Sequence, residues 1–367
     1  MIPLFKVFMS QDVNSYLLET IHSGWIGQGE KVELFEKAIS DRIGNINVVA
    51  LSAGTHGLHL ALILAGVKEG DEVITTPLTC TAMNWPILMQ RAKIVWADIK
   101  KNDLNIDPID VAKKITSKTK AVMAVHWGGY PCDLFELRTI TEDHKISFIE
   151  DAAHAFGAKY KTTVIGDCIF SDFTMFSFQA IKHITCGDGG ALVTAFHIDA
   201  ERARKLRWFG IDREKICKDM RCEEDVEEFG YMYHMNDIAA TIGICNLKEL
   251  DWILKRQTEN ADYYRKELKD RAGITLLENK SDRKSANWFF SMLIGNRNRF
   301  FDRMNYKKQI HVSRVHERND KFTCTKEFKM DLPNLDEVAD KIIAIPCGWW
   351  VGKEEREYIV ESVKEGW

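Results

Sequence analysis

Residues 47–67, NVVALSAGTHGLHLALILAGV, pass without a single Asp, Glu, Lys or Arg. That is long enough to span a bilayer. Ser52, Gly54, Thr55, His56, Gly57 and His59 interrupt the run, however. A buried strand at 48–51, a tight turn and a buried helix at 55–65 accommodate all of them. The same grammar extends outward. Residues 31–43 carry apolar side chains at helical spacing, and 72–75 and 94–97 are short apolar runs bounded by Gly, Asp or Pro. Runs at 121–126 and 147–150 flank a helical stretch at 133–143, and a last run lies at 191–194. Helix and strand in alternation predict an α/β fold with a mostly parallel central sheet. From 236 to about 271 the pattern becomes one long helical stretch. Mixed short elements follow, with aromatic clusters at 288–290 and 349–350. The expected organisation is a large α/β domain over residues 1–250 and a smaller α+β domain over 251–367, two domains in a chain of 367 residues.

Charge narrows the function classes. Fifty Lys and Arg stand against 54 Asp and Glu, a net charge of −4, which leaves no basic excess to neutralise nucleic-acid phosphates or an anionic membrane surface. Residues 1–11 lack the charged start, apolar stretch and cleavage site of a signal peptide. The nine cysteines are odd in number and scattered, with no CxxC, so reduced thiols in a cytoplasmic protein are expected.

In open parallel sheets ligands sit beyond the carboxyl ends of the strands. Three segments fall there. Ser52-Ala53-Gly54-Thr55-His56-Gly57 joins a strand to a helix, where glycines and free N–H groups suit an anion; a helix entry capped by Thr55 reads the same letters. Ile149-Glu150-Asp151-Ala152-Ala153-His154 places a carboxylate at a strand end, as an ion partner or as a cap. FSFQAIKHITCGDGG, 176–190, sets Lys182 among apolar residues before a Gly-rich turn. Desolvation there lowers a lysine toward the neutral amine that Schiff-base chemistry needs, whereas a lone lysine also reads as a snorkelling loop residue. Together, a phosphate cradle, a carboxylate and an isolated lysine meet the needs of pyridoxal 5′-phosphate (PLP): donors for its phosphate, an anion for its ring nitrogen, an amine for its aldehyde.

Those segments carry a resemblance. With GWIGQG (24–29), SAGTHGLHLAL (52–62), GDEVITTPLT (70–79), AVHWGGYPCD (124–133), EDAAHAFGA (150–158) and GYMYHMNDIAATIG (230–243), the chain resembles the DegT-type sugar aminotransferases over nearly its whole length. These are PLP enzymes of fold type I. The resemblance implies Lys182 as the Schiff-base lysine and Asp151 at the pyridine nitrogen. It places His154 against the ring or its phenolic oxygen, and Gly54, Thr55 and Ser177 at the phosphate. His56 and Gln179 fall in the same segments and complete the cofactor set. Cys80 stands where many members carry a ring-stacking aromatic. Met232 and His234 stand where the family often supplies a cross-subunit Asn to the phosphate, and of the two only His234 can donate a hydrogen bond.

The loop at 24–29 precedes no clear βαβ unit, so its glycines do not read as a dinucleotide motif. In the family it lines the substrate side, which makes Trp25 a candidate wall. Residues 311–320 are dense in donors, and there Arg314, His316 and Arg318 are candidates for holding a sugar nucleotide. His56 and His59, three apart, lack a carboxylate or cysteine partner in sequence, and no metal is expected. The resulting expectation is a homodimeric PLP-dependent aminotransferase. It takes L-glutamate as donor and a nucleotide-linked keto-sugar, a 4-keto-6-deoxyhexose, as acceptor, making an amino sugar for surface polysaccharide or glycoconjugate. Amination of a 3-keto or free keto-sugar acid, or sugar dehydration on the same fold, are the alternatives. Dehydrating relatives replace the lysine with histidine, so Lys182 favours transamination.

Overall fold

The computed structural model describes residues 1–213 and 225–367. Seven strands form the central sheet: β1 (Val48–Leu51), β2 (Glu72–Thr75), β3 (Lys93–Trp96), β4 (Thr119–Val125), β5 (Ser147–Asp151), β6 (Phe173–Ser177) and β7 (Gly190–Thr194). Their order is β1-β7-β6-β5-β4-β2-β3. The pairs from β6 to β3 are all parallel, and β7 runs antiparallel to both of its neighbours. The expected α/β fold with a mostly parallel sheet is thus present. β1 and β7 are buried along their full length, as strands covered on both faces must be. The apolar 47–67 run is a strand, a turn and the helix Gly54–Leu64, whose Leu58, Leu60, Ala61 and Leu62 lie in the core.

β7 fixes where the site is. Because it reverses direction between β1 and β6, the loop at 178–189 that enters it leaves from the carboxyl end of β6. That is the sheet edge where β1 and β5 also end. The approach is close. A Cβ on Gly190 would stand 2.5 Å from the Gly54 nitrogen and 2.6 Å from the Ala53 carbonyl carbon. Only glycine lets these two backbones meet.

Three elements depart from the sequence reading. The stretch at 236–271 is two helices, Asp237–Leu247 and Leu250–Glu267. On one straight helix Ile253 would lie about 140° around the axis from Ala240. The break lets Leu250, Ile253 and Leu254 join Ala240 in one core. It follows Asn246, whose buried amide accepts from Ser10 N–H and donates to the Thr185 carbonyl. The helix Thr81–Met89 forms despite Pro86, because Met83, Asn84, Pro86 and Ile87 are all buried and packing overrides propensity. The helix His197–Leu206 also follows β7.

Beyond the long helix an antiparallel sheet, β8 (Ile274–Leu276), β9 (Phe290–Ile294) and β10 (Ile342–Ile345), covers its own core of Tyr264, Phe300, Met304 and Val360. Trp288 and Phe289, just before β9, pack instead into the core of the central sheet beside Trp127 and Met123. Arg283 guides them there, donating to the Pro131 and Cys132 carbonyls and pairing with Asp133 at 2.9 Å. Seven cysteines are free thiols, and Cys217 and Cys222 lie outside the described residues. No described helix is long and apolar enough to cross a membrane.

Gly190→Ala should destabilise the chain by about 1–3 kcal/mol, the usual cost of overpacking, measured by urea denaturation. The same substitution at Gly187, where a Cβ meets open space, supplies the comparison for the strain of a positive φ alone.

Candidate active site

The helix Gly54–Leu64 begins with no side-chain cap: its N-cap is Ala53, in extended conformation. The first-turn N–H groups, those of Gly54, Thr55 and His56, are therefore free of a capping side chain and carry the positive end of the helix dipole. Thr55 lies inside that first turn rather than capping it. A Cβ on Gly54 would stand 3.1 Å from Ser177 Cβ, so the serine at the end of β6 borders the same opening.

Asp151, the last residue of β5, is buried, and one of its oxygens accepts the Ala153 N–H at 3.0 Å. Burial pushes its carboxyl up from the ordinary range, against the pull of that N–H and of Lys182. Lys182 sits in the loop between β6 and β7. Gln179 shapes that loop, accepting the Lys182 N–H on its carbonyl and the Ile181 N–H on its side chain. Lys182 is half-buried as a residue, and its Nζ stands 3.6 Å from the centroid of the Trp288 ring. Burial brings the ammonium down to about 8, although Asp151 and Cys80 both favour its charge.

Three imidazoles surround this pair. His154 stacks on Trp288 at 4.1 Å and lies parallel to His316 at 5.8 Å. Burial and then Lys182 hold His154 well below its ordinary value, and burial takes His183 and His316 each to about 4. All three are neutral at pH 7. His183 Nε2 faces the Ala286 carbonyl at 3.1 Å and therefore carries the ring proton. His154 Nδ1, His183 Nδ1, His316 Nε2 and the Thr79 hydroxyl are buried with no hydrogen-bond partner among the described residues. Orphaned polar atoms are rare in a folded interior, and three of them are nitrogens of the imidazoles on which the Lys182 charge acts.

Behind the site, on the other face of β5, Glu150 accepts from Thr174 at 3.1 Å and meets His126 Nε2 at 2.8 Å. His126 Nδ1 accepts the Cys132 N–H, so its proton is on Nε2. Gly129 keeps a φ of +93°, and a Cβ there would stand 2.4 Å from the His154 carbonyl oxygen.

The remaining candidates fall in different places. His56 stacks on Tyr233 at 3.9 Å with its Nδ1 at Ser52, and burial lowers its pKa. His234 pairs with Leu51 in a β-bridge and packs its ring on Trp208 at 3.8 Å, with Nδ1 buried and without a hydrogen-bond partner among the described residues. Met232 is 69% exposed. Trp25 is also exposed and lines a cleft of about 970 Å³ with Gln28, Arg207 and Arg213; neither Lys182 nor Asp151 is in its wall. Arg314 is exposed and pairs with Glu317 at 2.5 Å. Arg318 is buried, and all three of its guanidinium nitrogens are engaged by Asp320 and Asp336. Sequence reading did not single out Trp288 or His183 for this site. Trp288 stood out only as part of an aromatic cluster, and nothing local ties it to Lys182 a hundred residues earlier.

Known proteins share this fold. The profile of the DegT/DnrJ/EryC1/StrS aminotransferase family matches residues 8–364. The crystal structure of the sugar aminotransferase CalS13 from Micromonospora echinospora superposes with a TM-score of 0.96 at 39% identity, covering 100% of both chains. The spore coat polysaccharide biosynthesis protein SpsC of Bacillus subtilis is 39% identical over 249 residues, 67% of this chain and 64% of its own. MJ1066 of Methanocaldococcus jannaschii, an uncharacterized protein, is 35% identical over 99% of this chain and 97% of its own.

A buried ammonium has a stability consequence. Below about pH 8 the folded and unfolded chains both hold the Lys182 proton, and the folded one bears the full cost of burying it. Between about 8 and 10.5 the folded chain releases the proton first, so stability rises with pH. Lys182→Met should therefore raise the stability of the cofactor-free protein at pH 7 by about 1–3 kcal/mol. In urea melts that margin should shrink as the pH climbs from 8 to 10.5.

Proposed function

This chain belongs to the DegT/DnrJ/EryC1/StrS aminotransferase family, and from that premise we propose that it moves an amino group from L-glutamate to a nucleotide-linked keto-sugar. The observation that carries the proposal is the Lys182–Asp151 pair, enclosed by imidazoles with unspent nitrogens and bordered by an uncapped helix start. These residues fit PLP. Lys182 would hold its aldehyde carbon, Asp151 its ring nitrogen, and His154 its ring or phenolic oxygen. Gly54, Thr55 and Ser177 would hold its phosphate. When bound, PLP supplies an electron sink for the pair left on the donor's Cα.

The chain does the rest. Lys182, with a pKa of about 8, has an appreciable neutral fraction at physiological pH. Its Nζ lifts the proton from the donor Cα and later returns one to the acceptor side. Asp151, held by the Ala153 N–H and drawn toward the charged form by Lys182, offers an anion in a site that excludes water. Neutral His154, His183 and His316 add hydrogen-bonding capacity without adding charge that would compete with the lysine.

The cofactor treats all carbonyls alike, so the acceptor is chosen by the walls. Arg314, exposed and paired among the described residues with Glu317, is the arginine of its segment with capacity for a diphosphate, and Arg318 braces that segment through Asp320 and Asp336. A 4-keto-6-deoxyhexose is the proposed sugar. The name of CalS13, a sugar aminotransferase, supports the acceptor class. A homodimer belongs to the same proposal, supported by the exposed apolar side chains of Trp25, Ile26, Phe229 and Met232.

Incubation with L-glutamate and a panel of nucleotide keto-sugars should yield one amino-sugar nucleotide by mass spectrometry. Equally fast turnover of the free keto-sugar would overturn the acceptor class. Asp151→Asn should lower turnover by about 10²–10³-fold, the loss expected when one side of a buried ion pair goes. Arg314→Ala should raise KM for the sugar nucleotide about tenfold or more, the loss of one charge-assisted hydrogen bond, and leave the glutamate half-reaction intact. Light scattering should give twice the chain mass.

A further inference from the structure

Trp288 has no part in the reading above, yet it meets the lysine loop at two points. It arrives from the far side of the chain. Arg283 draws its segment onto residues 131–133, and the Ala286 and Trp288 N–H groups donate to the Gly129 and Gly128 carbonyls. From there the indole is tied to the lysine twice. Its Nε1–H donates to the carbonyl of Ile181, the residue before the lysine, at 2.9 Å. Its ring centroid lies 3.6 Å from Nζ itself. His154 stacks on the same ring at 4.1 Å and Phe5 at 4.6 Å, which fixes its plane.

We propose that Trp288 is a positioning residue for Lys182: an aromatic seat that holds the amine whenever it carries a proton and no covalent bond. The physics is specific to charge. An aromatic face attracts an ammonium through its quadrupole and has little hold on a neutral amine. A lysine that moves a proton must spend part of each cycle as an ammonium in a site that desolvates it. The seat offsets that desolvation and keeps the amine pointed into the site. The charged and titratable groups facing Nζ are Asp151 from β5, Cys80 at the start of the helix Thr81–Met89, and the imidazoles of His154, His183 and His316. Asp151 and Cys80 favour the ammonium, whereas positive charge on any of the imidazoles would oppose it. Trp288 adds to the favourable side without contributing a charge.

The inference rests on Lys182 as the proton-moving lysine of the proposed reaction, but its test reads the amine directly. Full-length protein without cofactor is trace-labelled with acetic anhydride across pH 6–11, and acetylation of the Lys182 peptide is followed by mass spectrometry. Wild type, Trp288→Phe and Trp288→Leu are compared. Both variants lose the N–H, whereas phenylalanine keeps a weaker face and leucine has none. The labelling midpoint should fall in the order Trp, Phe, Leu, by about 0.5–1.5 pH units in all. Equal midpoints in the two variants would trace the effect to the lost N–H or to packing, and would overturn the proposal, as would unchanged or higher midpoints in both. Should the leucine variant not fold, the phenylalanine variant decides: a lower midpoint supports the seat and an unchanged one overturns it. Borohydride reduction of the PLP-loaded wild type separately tests the lysine assignment. A pyridoxyl mass on another lysine would overturn that assignment and leave the labelling order standing as a measurement on its own.

Discussion

Two backbones meet at Gly190, and the site depends on that meeting. β7 runs against the rest of the sheet and is inserted between β1 and β6. Its first residue presses on Ala53 and Gly54 with no room for a side chain. The contact sets the distance between the uncapped start of a helix and the loop that carries Lys182. Those two features are remote in sequence and carry opposite electrostatic needs, one suited to an anion and one to an amine. A parallel β7 would be entered from the other edge, and Gly190 would no longer meet Gly54 beside the loop that carries Lys182.

Charge in the site is sparing. Burial holds three imidazoles neutral around Lys182 and Asp151. Each additional cation would push the lysine further toward deprotonation and weaken its hold on a proton in transit. Unpaired imidazole nitrogens satisfy a ligand's hydrogen bonds without that electrostatic cost. The arrangement exchanges some stability of the empty protein for a site in which one proton has a defined place.

What could be read from the letters follows from range. The central strands were legible because strands buried on both faces are written as short apolar runs, and Val48–Leu51 and Glu72–Thr75 fall where those runs predict. Lys182 stood out only together with the 52–57 and 149–154 segments, because a lone lysine among apolar residues also reads as a snorkelling loop residue. The helix break after Leu247 was not legible, since it comes from Asn246 bonding to Ser10 and Thr185, both far away in sequence. Trp288 was not either, nor was the Ala286 carbonyl that meets His183. Their place depends on Arg283 carrying a C-terminal segment across to residues 131–133, and no local pattern encodes that crossing. The acid at Asp151, taken alone, read more readily as a cap than as an ion partner. Its burial and its coupling to Lys182 support the second role.

β5 ends in two consecutive carboxylates that face opposite sides of the sheet. Glu150 is occupied behind it by His126 and Thr174, and Asp151 lies in front beside Lys182. Because strand side chains alternate, inserting or deleting one residue in β5 would exchange them. Glu150 would then enter the site on a longer stem, and Asp151 would face an imidazole spaced for glutamate. The strand is therefore a segment where descent can substitute residues but cannot change their number. Length variation among relatives should collect in the surface loops and spare residues 147–151.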